Sequence, residues 1–228
     1  MYSGNSKITF ILAAAGVGKR MNLGYPKQFL TWKDKPIFIY PLEVAEKSSL
    51  VEDIIVVTGP ESVEMVQEYC KEHGITKVKN VVPGGSERQY SIYNALAHCN
   101  QNNYIAIQDG VRPFMKEKYL IEAFNKLEDN KELSGVVIGV PVKDTIKIVD
   151  EDGIILETPR RDTLFGAHTP QVFRGDILKI AYQCAQDEKF LGTDDSSLVE
   201  RLNKRIGIIV GDYDNIKITT QEDLKFLK

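Results

Sequence analysis

The chain has 228 residues, 43% hydrophobic and 27% charged, enough for a full core and best read as one domain spanning 1–228. A formal net charge of −3 carries no overall basic character, so composition makes no case for nucleic acid as a partner. No apolar stretch approaches membrane-spanning length, residues 1–7 lead into a strand without a signal-peptide core, and Cys70, Cys99 and Cys184 lack metal-ligand spacing, so a cytoplasmic, reducing setting away from membranes is expected.

Ile8-Thr9-Phe10-Ile11-Leu12 reads as a strand that opens into Ala13-Ala14-Ala15-Gly16-Val17-Gly18-Lys19-Arg20-Met21, with Pro26-Lys27-Gln28 as an outlier of the same loop. Residues 36–49 carry apolar positions at helical spacing, with Pro41 tolerable only near the helix start. Strands are predicted over 53–58, 77–82, 104–108 and 134–142, and helices over 61–73, 87–99 and 116–129. This alternation argues for an α/β, doubly wound, mostly parallel sheet. The rhythm breaks at 143–157, where alternating runs flank Asp150-Glu151-Asp152-Gly153, a strong hairpin signal. Such a hairpin needs cover for its apolar face, from a second subunit or from its own sheet, and the sequence leaves both open. Beyond it come Thr169-Pro170-Gln171-Val172-Phe173, a helix over 176–187, a helix capped by Thr193 or Asp194 and running to Asn203, strands over 206–210 and 215–218, and a closing helix over 220–227.

Most of the polar residues with chemical interest fall just after strand ends, which a parallel sheet gathers at one edge. Small residues and two glycines after the first strand let the backbone approach a ligand, and Lys19, Arg20 and Lys27 add charge suited to a polyphosphate. A basic turn is the plain alternative. The dinucleotide fingerprint lacks its third glycine and the Walker loop lacks both its spacing and its Lys-Ser/Thr. Asp109, with Arg112 three residues on, reads as a carboxylate for a divalent cation or a substrate hydroxyl beside an anion-binding guanidinium, or else as an Asx-turn with a surface arginine. Lys217 is odd in an apolar strand unless its ammonium reaches a pocket or an edge. His168 could line a site, but no Ser or Cys nucleophile is placed for it, so triad chemistry is unsupported. His73 and His98 read as surface residues, and Arg160-Arg161 as a solvated pair.

Seven blocks together resemble the 2-C-methyl-D-erythritol 4-phosphate cytidylyltransferase family of the non-mevalonate isoprenoid pathway. They are L-A-A-A-G-V-G-K-R-M (12–21) with P-K-Q (26–28), G-G-S-E-R-Q-Y-S (84–91), D-G-V-R-P (109–113), P-V-K-D-T-I-K (141–147), H-T-P-Q (168–171), G-T-D-D-S-S (192–197) and D-N-I-K-I-T (214–219). A sister family that makes CDP-ribitol from ribitol 5-phosphate shares several blocks, but P-V-K-D-T-I-K and G-T-D-D-S-S look more like the isoprenoid enzyme.

The resemblance implies a Rossmann-like nucleotidyltransferase that joins CTP to a polyol phosphate with Mg²⁺ and releases pyrophosphate. It implies that Ala13, Ala14, Ala15, Gly16, Gly18 and Lys19 wrap the nucleotide, and that Arg20, Lys27 and Lys217 serve catalysis by neutralising phosphates. It further implies that Gly85, Ser86 and Ser91 read cytosine, and that Asp109, Arg112, Thr169 and Thr193 bind the acceptor, with Asp109 also the candidate metal ligand. Thr145 and Arg161 would bind acceptor from an arm over 143–162 that enters a partner's site in a homodimer. Lys19 stands where Arg is frequent, and His168 where Gln is frequent; Lys keeps the charge but loses the bidentate fork.

Overall fold

The apolar β-forming runs line up in one sheet whose central strands are buried on both faces. The computed structural model describes residues 6–16 and 24–227. In chain order its elements are β1 (Ile8–Ala14), β2 (Thr31–Trp32), β3 (Lys35–Pro36), α1 (Ile39–Lys47), β4 (Val51–Thr58), α2 (Val63–Glu72), β5 (Val78–Pro83), α3 (Arg88–Leu96), β6 (Tyr104–Asp109), α4 (Glu117–Asp129), β7 (Leu133–Pro141), β8 (Ile148–Val149), β9 (Ile155–Glu157), β10 (Phe165–Arg174), α5 (Gly175–Asp187), α6 (Asp195–Glu200) and β11 (Arg205–Val210). The main sheet runs β11-β7-β10-β6-β1-β4-β5, with every pairing parallel except the two made by β10.

Alternation along each strand divides the core between the two faces. Phe10 and Leu12 of β1, Ile54 and Val56 of β4 and Tyr104 of β6 pack with Leu42 of α1, Val66 of α2 and Leu120 of α4. Ile11, Ile55, Val57, Ile105 and Ile107 point the other way, to Ile92 of α3, Leu178 and Tyr182 of α5 and Leu198 of α6. The sheet is therefore doubly wound, as expected. Its switch point lies between β1 and β6, since β4 and β5 build outward from one side of β1 and the chain then crosses to the other. Ala13 pairs with Asp109 there, so the first loop and the Asp109 turn leave the sheet side by side.

One strand lies where the sequence reading assigns no element, and three expectations need correction. Thr169–Phe173 belongs to a ten-residue antiparallel strand, β10. A proline inside an apolar run argues against a strand, and here Pro170 sits where the register shifts between His168 and Gln171. Residues 215–218 form no strand, although Ile218 donates its N–H to Val111 O at 2.9 Å. The closing helix is a 3₁₀ segment, Gln221–Leu227. The helix capped at Asp194 ends at Glu200, and Asn203, with φ 55°, takes the left-handed conformation that helices do not continue through.

Among the described residues the hairpin does not fold back on its own sheet. β8 and β9 pair only with each other, and Ile148, Val149, Ile154, Ile155 and Leu156 are all exposed. The three cysteines are free, and burial pushes the Cys70 thiol up to about 11 and the Cys99 thiol up to about 12, so neither is an activated nucleophile. Among the described residues no helix is long and apolar enough to cross a membrane.

Candidate active site

The crevice at the switch point has two walls. The first is made of backbone. Gly110 donates its N–H to Ala13 O at 2.9 Å, and a Cβ on Gly110 would stand 3.1 Å from that of Ala14, so the two loops touch. Gln28, 2% exposed, donates from Nε2 to Ala14 O at 2.5 Å. That bond pins the Pro26-Lys27-Gln28 outlier to the end of β1. Gly84 donates to Thr58 O at 2.8 Å and lies so close to Ala15 that a Cβ would come within 2.4 Å of the alanine methyl. Gly84→Ala is accordingly expected to push the two loops apart and to lower the melting temperature by a few degrees. A thermal melt checks this, and an unchanged melting temperature would rule out close loop packing as a requirement.

Gly85 and Ser86 are exposed on this wall, as a base-reading role requires. Ser91 is not: it is buried, its Oγ accepts from Gly85 N–H at 3.0 Å and donates to Glu87 O at 3.0 Å, so its hydroxyl shapes the loop from beneath. Ala13, Ala14, Ala15 and Gly16 stand at the mouth of β1. Gly18, Lys19 and Arg20 lie outside the described residues.

The second wall is built on charge. Asp109 closes β6 and is 5% exposed. Its Oδ1 accepts from Arg88 Nε at 3.2 Å; its Oδ2 accepts from Lys217 Nζ at 2.9 Å and stands 3.6 Å from Arg112 Nε. Burial alone would raise its pKa, but the charges of Arg88, Lys217 and Arg112 outweigh burial and hold the carboxyl well below the usual carboxylate range. Arg112 donates from Nη1 to Asn215 O at 2.6 Å, Asn215 donates from Nδ2 to Thr169 O at 2.9 Å, and Thr169 Oγ1 accepts from the Asp109 N–H at 3.0 Å. These bonds stitch the 215–218 segment to the end of β6 and the middle of β10. Ile218 is buried in a small core with Ile37 and Val111, so the residue before it faces the opposite way, onto Asp109. The lysine that looks misplaced in the sequence is thereby aimed into the crevice.

Arg88, Asp109, Arg112, His168, Thr169, Gln171, Thr193, Asp194 and Lys217 line a cleft of about 310 Å³. Asp109, Arg112, Thr169, Thr193 and Lys217 thus come together as expected. Thr145 and Arg161 do not join them; both are exposed on the arm, with Arg161 Nη1 on Lys143 O at 2.9 Å. The sequence reading missed Arg88, which meets Asp195 in a two-pronged bridge, and Gln171, which bonds Asp194 and the Ser196 N–H. The available signal was a basic residue opening the helix directly after a glycine loop.

His168 is half-buried, and its Nδ1 has no hydrogen-bond partner among the described residues. Burial and the nearby Arg112 hold its pKa down at about 4, so the ring stays neutral at pH 7. The unfolded chain takes up this proton first, near pH 6.5, so folded stability falls as pH drops from about 6.5 towards about 4. Urea unfolding of His168→Gln at pH 7 and pH 5 should show a smaller acid loss than the wild type; equal losses would contradict the shift.

For a divalent cation the donors are sparse. No group of three or more His, Cys, Asp or Glu side chains comes together among the described residues, and both Asp109 oxygens already meet cations. Magnesium commonly keeps few protein ligands and rides on substrate phosphates. This donor set fits a cation of that kind and not a caged one.

Side-chain cations gathered on one wall are a grip for anions, held at the edge where doubly wound sheets bind nucleotides. Fold and site define an α/β enzyme of the nucleotidyltransferase class. The family model described as 2-C-methyl-D-erythritol 4-phosphate cytidylyltransferase matches residues 8–227, and the chain belongs to that family. A protein of that name from Fusobacterium nucleatum is 53% identical over 233 residues, covering 100% of both chains. One from Geobacter metallireducens is 45% identical, covering 94% of this chain and 93% of its own. The solved 4-diphosphocytidyl-2C-methyl-D-erythritol synthase from Anaerococcus prevotii superposes with a TM-score of 0.85 at 28% identity, over 97% of this chain and 94% of that one.

Proposed function

We propose that this enzyme transfers the cytidylyl group of CTP to 2-C-methyl-D-erythritol 4-phosphate, releasing pyrophosphate, as a step in isoprenoid precursor synthesis. The observation that carries the reading is Asp109, ringed by Arg88, Arg112 and Lys217, facing the glycine loops across the switch point. A phosphate monoester oxygen attacks the α-phosphorus, a new P–O bond forms, and the bond to the β-phosphate bridge breaks with its electron pair leaving on pyrophosphate. The dianionic nucleophile needs no base. Repulsion between it and the triphosphate is the main obstacle, so catalysis rests on positioning and charge. Lys27 serves the triphosphate, Lys217 the α-phosphate and the attacking phosphate, and Arg112 the acceptor. Asp109 and the Thr169 and Thr193 side chains hold the polyol hydroxyls. Gly85 and Ser86 read the cytosine edge. Magnesium, if bound, would have Asp109 as its candidate protein ligand and would supply further charge neutralisation.

The arm supports a homodimer. Its exposed isoleucines and leucine find no cover among the described residues of their own chain, and Thr145 and Arg161 stand outside their own cleft. Ile155→Asp with Leu156→Asp is expected to convert a sedimenting dimer to a monomer and to cut turnover by about tenfold or more. A doubly substituted protein that still sediments as a dimer would count against the arm. The free thiols support a cytoplasmic setting.

Acceptor competition tests the reaction itself. With labelled CTP and equal methylerythritol phosphate and ribitol 5-phosphate, the methylerythritol product should dominate. Preference for ribitol phosphate would overturn the acceptor, and no pyrophosphate release with either would overturn the transfer.

A further inference from the structure

Arg88 is the first residue of α3, yet its guanidinium reaches two other elements. Nε donates to Asp109 Oδ1 at 3.2 Å, Nη1 to Asp195 Oδ1 at 2.9 Å and Nη2 to Asp195 Oδ2 at 2.8 Å. Asp195, 1% exposed, opens α6 and also accepts from the Tyr182 hydroxyl. The residue before it, Asp194, caps α6 by accepting from Ser197 N–H at 2.9 Å, and the one before that is Thr193 at the cleft rim. One planar side chain therefore ties the start of α3, the end of β6 and the start of α6.

The division of labour on Asp109 follows from this. Arg88 occupies Oδ1, so the carboxylate presents Oδ2 to Lys217 and Arg112 and cannot rotate to engage Arg112 with both oxygens. Lose Arg88 and that rotation is open: Asp109 draws Arg112, three residues away, into a closed pair and takes it from an incoming phosphate. Asp195 is left buried with Tyr182 alone, and the loop carrying Thr193 loses its tether. Removing one partner of a buried charge pair costs more than the pair itself contributes. Lysine cannot substitute, because a point charge satisfies one carboxylate at a time whereas the fork satisfies two.

We infer that Arg88 is a positioning residue for the acceptor half of the site: it orients Asp109 and anchors the Thr193 loop through Asp195. The inference rests on the transfer reaction proposed above. Wild-type pyrophosphate release, measured first, tests that reaction, and the ratios of variant to wild-type constants test Arg88. Arg88→Gln is expected to lower kcat/KM for the polyol phosphate about 100-fold and Arg88→Lys about tenfold, with the CTP dissociation constant within about threefold of wild type. Asp195→Asn, which weakens the two-pronged bridge and leaves the Nε contact in place, should lower the same constant about tenfold. The double variant Arg88→Gln with Asp195→Asn should be no worse than Arg88→Gln alone, because the two residues act as one unit and no buried charge is left unpaired. That variant also keeps the test open if Arg88→Gln folds poorly. Acceptor constants within about threefold of wild type would overturn the inference, as would CTP binding that weakens in parallel with acceptor use, the mark of a merely structural residue.

Discussion

Lys217→Ala is expected to lower turnover by about two orders of magnitude, or roughly 3 kcal/mol of transition-state stabilisation, with little change in melting temperature. The ammonium is the part of residue 217 that matters. It stands 2.9 Å from Asp109 Oδ2 at the cleft wall, with its side chain 38% exposed, whereas the packing of its segment comes from Ile218 and the backbone bond to Val111. Removing the ammonium leaves the fold anchored and takes a positive charge from the place where a phosphate must approach a triphosphate. Lys27→Ala is expected to act in the same direction, with Gln28 still fastening that segment to β1. Pyrophosphate release under saturating substrates reads the effect. Activity within tenfold of wild type would remove either lysine from the reaction.

Asp109→Asn tests the other side of the same cluster and is expected to fail in two ways at once. The amide keeps the shape of the carboxylate but not its charge, so Arg112, buried and three residues away, loses its counter-ion. Unfolding by urea should show a loss of about 2–3 kcal/mol, at the low end for a broken buried pair because Arg88 keeps Asp195 and Lys217 is part exposed. Acceptor kcat/KM should fall by about 10²–10³. The pH dependence has a definite sign. The folded carboxyl titrates below its ordinary value, so its stabilisation is present above about pH 4 and disappears as pH falls further. The stability gap between wild type and Asp109→Asn should therefore be constant near neutrality and close in acid. A gap that persists unchanged at pH 3 would contradict the assignment of the charge cluster.

Much of this was legible without coordinates because it is written locally. The strands read as apolar runs, the helices as 3.6-residue periodicity, and the convergence of Gly84, Asp109 and the first loop followed from their shared place after parallel strands. The errors also have local causes. Pro170 hid β10, because a proline withholds a ladder hydrogen bond and nothing nearby in sequence announces the register shift that accommodates it. Ile216 and Ile218 imitated a strand because burial on one side gives the same alternation whether or not a neighbour pairs with the backbone. The two internal bonds of the Ser91 hydroxyl likewise have no local signature in the sequence.

The sequence by itself determined a doubly wound α/β sheet, a functional edge at its strand ends, an arm whose apolar residues lack local cover, and, through seven ordered blocks, the family. Each depends on periodicity or on short spacings, which short-range sterics and burial enforce. Tertiary structure alone decided which charges meet. Arg88 and Asp195 are 107 positions apart and Lys217 stands 108 positions beyond Asp109, so no local rule pairs them. Electrostatic partners are chosen by proximity in space and by shared burial, and both exist only once the sheet has brought β6, α3, α6 and the 215–218 segment to the same edge.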